Sequence, residues 1–300
     1  MSFSSDVKHE LSQIELTSDC CLQAQAYGML LFGRAFSYSD ISFTTENEAV
    51  AQKYSDIIYE LFSFRPNIST NNTKKYTVEI KNKADRTAVM ELFGHDPSQV
   101  TLRINRANIT SECCFGAFLR GVFLACGTVT DPEKNYHLEF TISRKKICMD
   151  LIQLLEEVGF EPKYVYRKYN HVIYFKISEA IEDFLTLIGA TNSTLTLMGV
   201  KMQKDIVNRV NRRVNFESAN LSRTVDAALE QVYAIEKIER TRGLETLPKQ
   251  LQEMARLRRE NPEESLSELA GLINPPISRS GVNHRLKRLV EIANEIPDGE

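Results

Sequence analysis

The stretch Cys20-Cys21-Leu22-Gln23-Ala24-Gln25-Ala26-Tyr27-Gly28-Met29-Leu30-Leu31 returns 93 residues later as Cys113-Cys114-Phe115-Gly116-Ala117-Phe118-Leu119-Arg120-Gly121-Val122-Phe123-Leu124. Similarity at a fixed offset marks a duplicated unit. Working outward, Phe43-Thr44 matches Phe140-Thr141, Phe64-x-Pro66 matches Phe160-x-Pro162, and Glu91-Leu-Phe-Gly94 matches Thr186-Leu-Ile-Gly189, with offsets of 97, 96 and 95. Drifts this small are loop insertions. The copies therefore run from about residue 18 to 94 and from about 111 to 189, joined by a short segment containing Asp96-Pro97.

The second copy is read by periodicity. Glu112 to Ala125 is apolar nearly all round, so this helix is buried on every side. Gly127–Thr130 and Tyr136–Ile142 are strands about an Asp131–Asn135 turn, and Lys145–Val158 is an amphipathic helix that buries Ile147, Leu151, Leu154, Leu155 and Val158. Lys163–Arg167 and Val172–Ile177 alternate as a hairpin across Lys168–His171, and a short helix, Ile181–Ile188, ends at Gly189, a natural C′ residue. The order is α-β-β-α-β-β-α, and its duplication predicts an α+β domain with the two first helices packed about a pseudo-two-fold axis. Ala117, Gly121 and Ala125 form a small-residue stripe there, matched in the first copy by Ala24 and Gly28 but broken by Phe32.

A duplicated unit of this order, opening with an apolar helix that ends in glycine, resembles the LAGLIDADG homing endonucleases. Leu119-Arg-Gly121-Val-Phe-Leu124-Ala-Cys126-Gly127 overlays their nine-residue motif. The resemblance implies a divalent metal held at the symmetry axis by the last acidic residue of each motif, since phosphodiester hydrolysis needs cations to stabilise developing charge. Here those positions are Gly33 and Cys126, and the other acidic positions are Leu31 and Leu124. None of these side chains offers the hard oxygen ligands that Mg²⁺ demands. Asp131 lies beyond the motif and reads as the start of a turn. The expectation is a nuclease-like fold without a catalytic residue, metal or cofactor.

Composition narrows the classes further. The 300 residues are 42% hydrophobic and 26% charged, with 13 Gly and 9 Pro, an ordinary globular balance. The longest apolar run, Phe115–Gly127, is interrupted by Arg120 and is too short for a span of ~20 residues. No secretory signal is recognised at the N-terminus, so a cytoplasmic chain without a membrane partner is expected. The six cysteines, at 20, 21, 113, 114, 126 and 148, include two adjacent pairs rather than C-x-x-C spacings. They read as reduced, partly buried small hydrophobes. The net charge of −3 conceals a gradient: −3 for residues 1–94, −1 for 95–189 and +1 beyond.

After Gly189 the pattern is helical only. Thr194–Asn211 is one helix, and between 199 and 215 it carries five cations against one acid, with Arg209, Arg212 and Arg213 among Asn208, Asn211 and Asn215. Such a mixture suits either phosphate and sugar contacts or a solvated linker. Leu221–Arg240 is the next helix, with Val225, Ala228, Leu229, Val232, Ile235 and Ile238 at helical spacing. A further helix follows Pro248 and stops before Asn261-Pro262. Ser265-x-x-Glu268 is a capping box that opens a short helix halted at Asn274-Pro275-Pro276, and another begins near Ser278. A short helix, a tight break and a second helix with basic residues at its start is the helix-turn-helix arrangement, in which the second helix enters the major groove. Between 275 and 290 there are four cations and no acid. The candidate DNA-binding residues are Ser278, Arg279, Ser280, Asn283, His284, Arg285, Lys287 and Arg288, joined by Arg209, Arg212 and Arg213. Asn and Arg suit bidentate contact with adenine and guanine.

The chain as a whole resembles the WhiA family of Gram-positive bacteria, most specifically over Asn208–Asn220 and Ser265–Leu289. That resemblance implies transcriptional control, with roles in sporulation, cell division and chromosome segregation. The expected organisation is a first repeat with an N-terminal helix (1–94), a second repeat (95–190), a basic linker (191–220) and a helix-turn-helix domain (221–300). The expected partner is double-stranded DNA, which places the chain on the nucleoid. Two alternatives stay open: a residual endonuclease, and a protein-docking scaffold tethered to DNA by the helix-turn-helix.

Overall fold

The computed structural model describes residues 2–16, 18–98 and 101–297. A short amphipathic helix, α1 (Phe3–Ser12), precedes the first repeat: α2 (Asp19–Leu31), β1 (Ala35–Phe36), β2 (Ile41–Thr45), α3 (Glu48–Phe62), β3 (Asn67–Thr70), β4 (Tyr76–Glu79) and α4 (Lys83–Leu92). The second repeat is α5 (Glu112–Cys126), β5 (Gly127–Val129), β6 (Leu138–Ile142), α6 (Lys145–Glu157), β7 (Lys163–Arg167), β8 (Asn170–Phe175) and α7 (Ser178–Leu187). Each repeat folds its strands into one antiparallel sheet, ordered β1-β2-β4-β3 and β5-β6-β8-β7. The register repeats as well: Phe43 faces Val78, and the matching Phe140 faces Ile173. This is the duplicated α+β fold that the motif spacing predicts.

The two sheets share one core because α2 and α5 pack directly on each other. Ala24, Tyr27, Ala117, Phe118 and Val122 are all sealed from solvent. At the crossing the glycines are reciprocal. A Cβ built on Gly28 would overlap the Phe118 carbonyl oxygen, and one on Gly121 would overlap the Gln25 carbonyl oxygen. Only glycine lets two backbones approach this closely. Arg120, the one charge in α5's apolar run, is absorbed across the same interface: its Nε donates to Ile188 O at 2.6 Å and its Nη1 to Gln25 Oε1 at 3.1 Å.

Helix ends follow the duplication. Gly94 and Gly189 have φ of 69° and 91°. Their N–H groups donate to Glu91 O and Thr186 O, while those of His95 and Ala190 reach Met90 O and Leu185 O. These are paired Schellman caps, and positive φ is why glycine stands at both. The hairpin β7–β8 turns on Lys168 and Tyr169 alone, with φ of 48° and 63°, and Arg167 already pairs with Asn170. The sequence predicts a four-residue turn, but two successive left-handed residues close a tighter one that matches strand twist.

All six cysteines are free, and Cys20 and Cys113 alone depart from their reading as partly buried small hydrophobes. Cys20 and Cys113 are exposed, Cys21 and Cys126 half-buried, and only Cys114 and Cys148 are sealed.

The chain forms two units, Met1–Lys204 and Asp205–Glu300. Helix α8 (Thr191–Thr241) begins in the first and continues into the second. The sequence predicts separate helices over 194–211 and 221–240, and the structure corrects this to one continuous helix. No proline interrupts the stretch, Gly199 is its sole glycine, and the Arg, Val, Asn and Ser residues between tolerate helix, so nothing pays for a break. Val225 and Leu229, expected at core positions, are exposed, whereas Ala228, Ile235 and Ile238 are buried. The second unit continues with α9 (Lys249–Glu260), α10 (Leu266–Leu272) and α11 (Arg279–Asn294). Its core joins Ile235 and Ile238 to Met254, Leu269, Val282, Leu286 and Leu289. Among the described residues no helix is long and apolar enough to cross a membrane.

Overpacking an interior costs ~1–3 kcal/mol, and here the obstruction is rigid backbone. Gly121→Ala is therefore expected to destabilise the first unit by about 3 kcal/mol in urea unfolding. Gly199→Ala, where a Cβ meets nothing within 4 Å, is expected to be neutral or stabilising by ~0.5–1 kcal/mol.

Candidate functional site

The C-terminal ends of α2 and α5 open on a cleft of about 340 Å³ whose lining includes Gly33 and Cys126. These positions correspond to metal-bearing carboxylates in the nuclease motif. Among the described residues no carboxylate lines the cleft. Its charged lining is instead Lys8, Arg34 and Arg144, accompanied by the hydroxyls of Thr44, Thr128, Thr141 and Ser143. The Cys126 thiol donates to Val122 O at 3.5 Å along its own helix. Burial raises that thiol to about 12, only partly offset by Lys8. Burial also lowers the Lys8 pKa, against the pull of Cys126 and Glu46. Arg144 Nη2 donates to Leu31 O at 2.7 Å, a cation on the last carbonyls of α2 where the helix dipole favours it. A site of this charge repels a divalent cation and attracts an anion. Asp131 is not part of it: its Oδ1 accepts from Glu133 N at 3.0 Å, closing a turn.

Sequence reasoning missed Lys8 and Arg144 because neither lies in the repeated motif, and Arg34 because it stands at the motif's last position, where the second copy has Gly127. Lys8 comes from α1, which has no counterpart in the second repeat, so only the tertiary fold brings it to the axis.

In the second unit, α10 starts at the predicted capping box: Ser265 N–H donates to Glu268 Oε2 at 2.8 Å and Glu268 N–H to Ser265 Oγ at 3.3 Å. α11 starts at Ser278, whose Oγ accepts from Gly281 N–H at 3.2 Å. Val282, Leu286 and Leu289 are fully buried. That inward face leaves Ser278, Arg279, Ser280, His284, Lys287 and Arg288 exposed. Asn283 and Arg285 are half-buried, and Arg285 Nη1 is enclosed without a hydrogen-bond partner. Arg288 Nη1 is 2.8 Å from Glu291 Oε2. On α8, Arg209, Arg212 and Arg213 are exposed, and Arg213 Nε is 2.8 Å from Glu217 Oε1. Arg279 and Lys287 thus present charge at the start and middle of the second helix with no salt bridge among the described residues.

Not every arginine here faces outward. Arg258 is 2% exposed, and its Nε donates to Gln231 Oε1 at 2.9 Å while Nη1 donates to Glu264 O at 2.7 Å. It ties α8 and α9 to the loop ahead of α10. Charge counting alone cannot separate such a structural arginine from a binding one.

Together these features define a two-part protein: a duplicated LAGLIDADG-like domain whose axial site lacks acidic ligands, followed by a helix-turn-helix domain. Comparison with known proteins agrees. Residues 115–207 match the WhiA LAGLIDADG-like domain, and residues 210–293 the WhiA C-terminal HTH domain. The chain is 37% identical to a probable cell division protein WhiA from Alkaliphilus metalliredigens, covering 98% of each. It is also 37% identical to one from Clostridium botulinum, covering 100% of each. Among solved structures, a full-length WhiA from Thermotoga maritima aligns with a TM-score of 0.61 at 25% identity over 100% of both chains. An N-terminal LAGLIDADG domain of WhiA aligns at 0.50 and 20% identity, covering 63% of this chain and 92% of that one. The chain belongs to the WhiA family.

Arg258→Met removes the buried guanidinium and orphans Gln231 Oε1 and the Glu264 carbonyl, each costing ~1–3 kcal/mol. A loss of about 3 kcal/mol in the second unit's stability is expected, read by urea denaturation followed by circular dichroism.

Proposed function

We propose that the chain is a non-catalytic, sequence-specific DNA-binding protein that regulates transcription in connection with cell division and chromosome segregation, working in the cytoplasm on the nucleoid. The observation that carries this reading is the helix-turn-helix of α10 and α11, whose inward face is apolar and whose outward face presents Arg279, His284, Lys287 and Arg288 without an intervening acid. In the reading, α11 lies in the major groove. Ser278, Arg279 and Ser280 meet the backbone or the first bases at its start, and Asn283 reads a base edge, with Arg285 beside it, since phosphate contacts position and base contacts specify. Arg209, Arg212 and Arg213 on α8 add backbone contacts. The connection with cell division rests on the names of the relatives. The non-catalytic part is supported by the cleft, where Lys8, Arg34 and Arg144 occupy the place in which hydrolysis would need carboxylates and a metal.

A second reading has its own support. β7 is an edge strand, and Tyr164, Val165 and Tyr166, with Tyr169 at the hairpin tip, are exposed. An exposed aromatic edge suits a protein partner, so the repeat domain serves as a docking platform in this reading while the helix-turn-helix holds DNA.

Duplex affinity is expected to fall steeply with ionic strength through counterion release. Lys287→Ala and Arg279→Ala should each reduce the salt slope by about 1, whereas Asn283→Ala should relax base preference. Affinity that ignores salt would defeat the reading. With Mg²⁺ or Mn²⁺ and excess protein, supercoiled DNA is expected to stay intact, and nicking would revive the endonuclease alternative.

A further inference from the structure

The second feature of the duplicated motif, its paired cysteines, is not used by the reading above. The sequence places them as Ser18-Asp19-Cys20-Cys21 and Ser111-Glu112-Cys113-Cys114, at the starts of α2 and α5. Neither pair has the spacing with which one segment wraps a metal. The pseudo-two-fold packing of α2 against α5, forced by Gly28 and Gly121, nevertheless brings the pairs together. All four sulfurs lie within 4.8 Å of one another, and all four cysteines are free. Around a tetrahedral zinc with Zn–S of ~2.3 Å, ligand sulfurs stand ~3.8 Å apart. Small side-chain rotations reach that geometry. A disulfide needs two sulfurs, whereas this cluster draws in four, two from each repeat.

The surroundings suit thiolates. The cysteines occupy the first turns of two helices, where unpaired N–H groups and the helix dipole favour negative charge. Ser18 and Ser111 stand at the N-cap positions, yet neither side chain caps its helix. Ser111 Oγ instead donates to Cys114 Sγ at 3.0 Å and lies 3.1 Å from Cys113 Sγ, while the Cys20 thiol points at Ser18 Oγ at 3.6 Å. Burial would raise the Cys114 thiol, but hydrogen bonds from Ser111, Cys20 and Thr110 bring it down to about 7. Burial holds Cys21 up at about 11.

We propose that Cys20, Cys21, Cys113 and Cys114 form a tetrathiolate site for a soft divalent cation, zinc, that fastens the N-terminal ends of α2 and α5 across the repeat axis. As each sulfur–metal bond forms, a thiol that still holds its proton releases it to water, and no electron is transferred. The site is closed, with four protein ligands and no position for substrate, so its role is structural. It lies at the opposite ends of α2 and α5 from the cationic cleft and does not depend on DNA binding.

The test uses the full chain, purified under reductant, stripped with a chelator and titrated with Co²⁺. One ion per chain with the intense visible bands of tetrahedral thiolate coordination, displaced by Zn²⁺, is expected, as is zinc in the protein as isolated. Cys20→Ser/Cys113→Ser should abolish the bands, and because both residues are exposed the variant should keep its circular dichroism. Cys126→Ser should bind as the parent does. Ser111→Ala should weaken binding by about tenfold, the scale on which groups hydrogen-bonded to ligands act, and affinity should rise with pH. The proposal is overturned if the parent binds Co²⁺ no better than Cys20→Ser/Cys113→Ser. It is equally overturned if anaerobically purified protein shows these cysteines joined as disulfides, or if the bound metal is iron accompanied by acid-labile sulfide.

Discussion

The near-contact of two helix backbones governs the first unit. α2 and α5 cross where Gly28 meets the Phe118 carbonyl and Gly121 meets the Gln25 carbonyl, and no residue with a side chain fits at either point. That single steric constraint sets the repeat axis. Once it is satisfied, the two sheets share a core, and both ends of the helix pair become places where residues far apart in sequence converge. At one end four cysteines meet, and at the other Gly33 and Cys126 face the same cleft.

The cleft shows how a scaffold can keep its geometry while its electrostatics are inverted. Hydrolysis of a phosphodiester requires oxygen ligands that hold a cation. Here the positions of those ligands carry a hydrogen atom and a thiol turned back onto its helix, and the charge that enters comes from Lys8, Arg34 and Arg144. Desolvation of Lys8 lowers its pKa, which reflects how far the ammonium is drawn into the fold. The helix-turn-helix unit divides its arginines by a different rule: Arg258 is spent inside, on Gln231 and Glu264, while Arg279 lies outside.

Much of this was legible in the sequence. The repeat offset, the order of elements in each copy, the glycine caps at Gly94 and Gly189 and the capping box at Ser265 are all local signals, since each depends on residues within a few turns of one another. Continuity of α8 was less legible, because asparagines that usually mark a boundary are tolerated in a helix when no proline or glycine enforces the stop. The turn at Lys168 and Tyr169 is tighter than the composition predicts for a similar reason: left-handed conformations in non-glycine residues leave little trace in composition.

Residue patterns alone determined that the chain is a duplicated α+β unit followed by helices, that its nuclease-like motif lacks acids, and that a basic helix follows a tight break. Those properties follow from periodicity and residue type, which are encoded over short distances. Only the tertiary structure decided that Cys20 and Cys21 meet Cys113 and Cys114, that Lys8 from α1 enters the axial cleft, and that Arg258 is structural. Each of these depends on segments brought together by packing, and a pair of cysteines or a lone lysine has no chemistry of its own until its partners arrive.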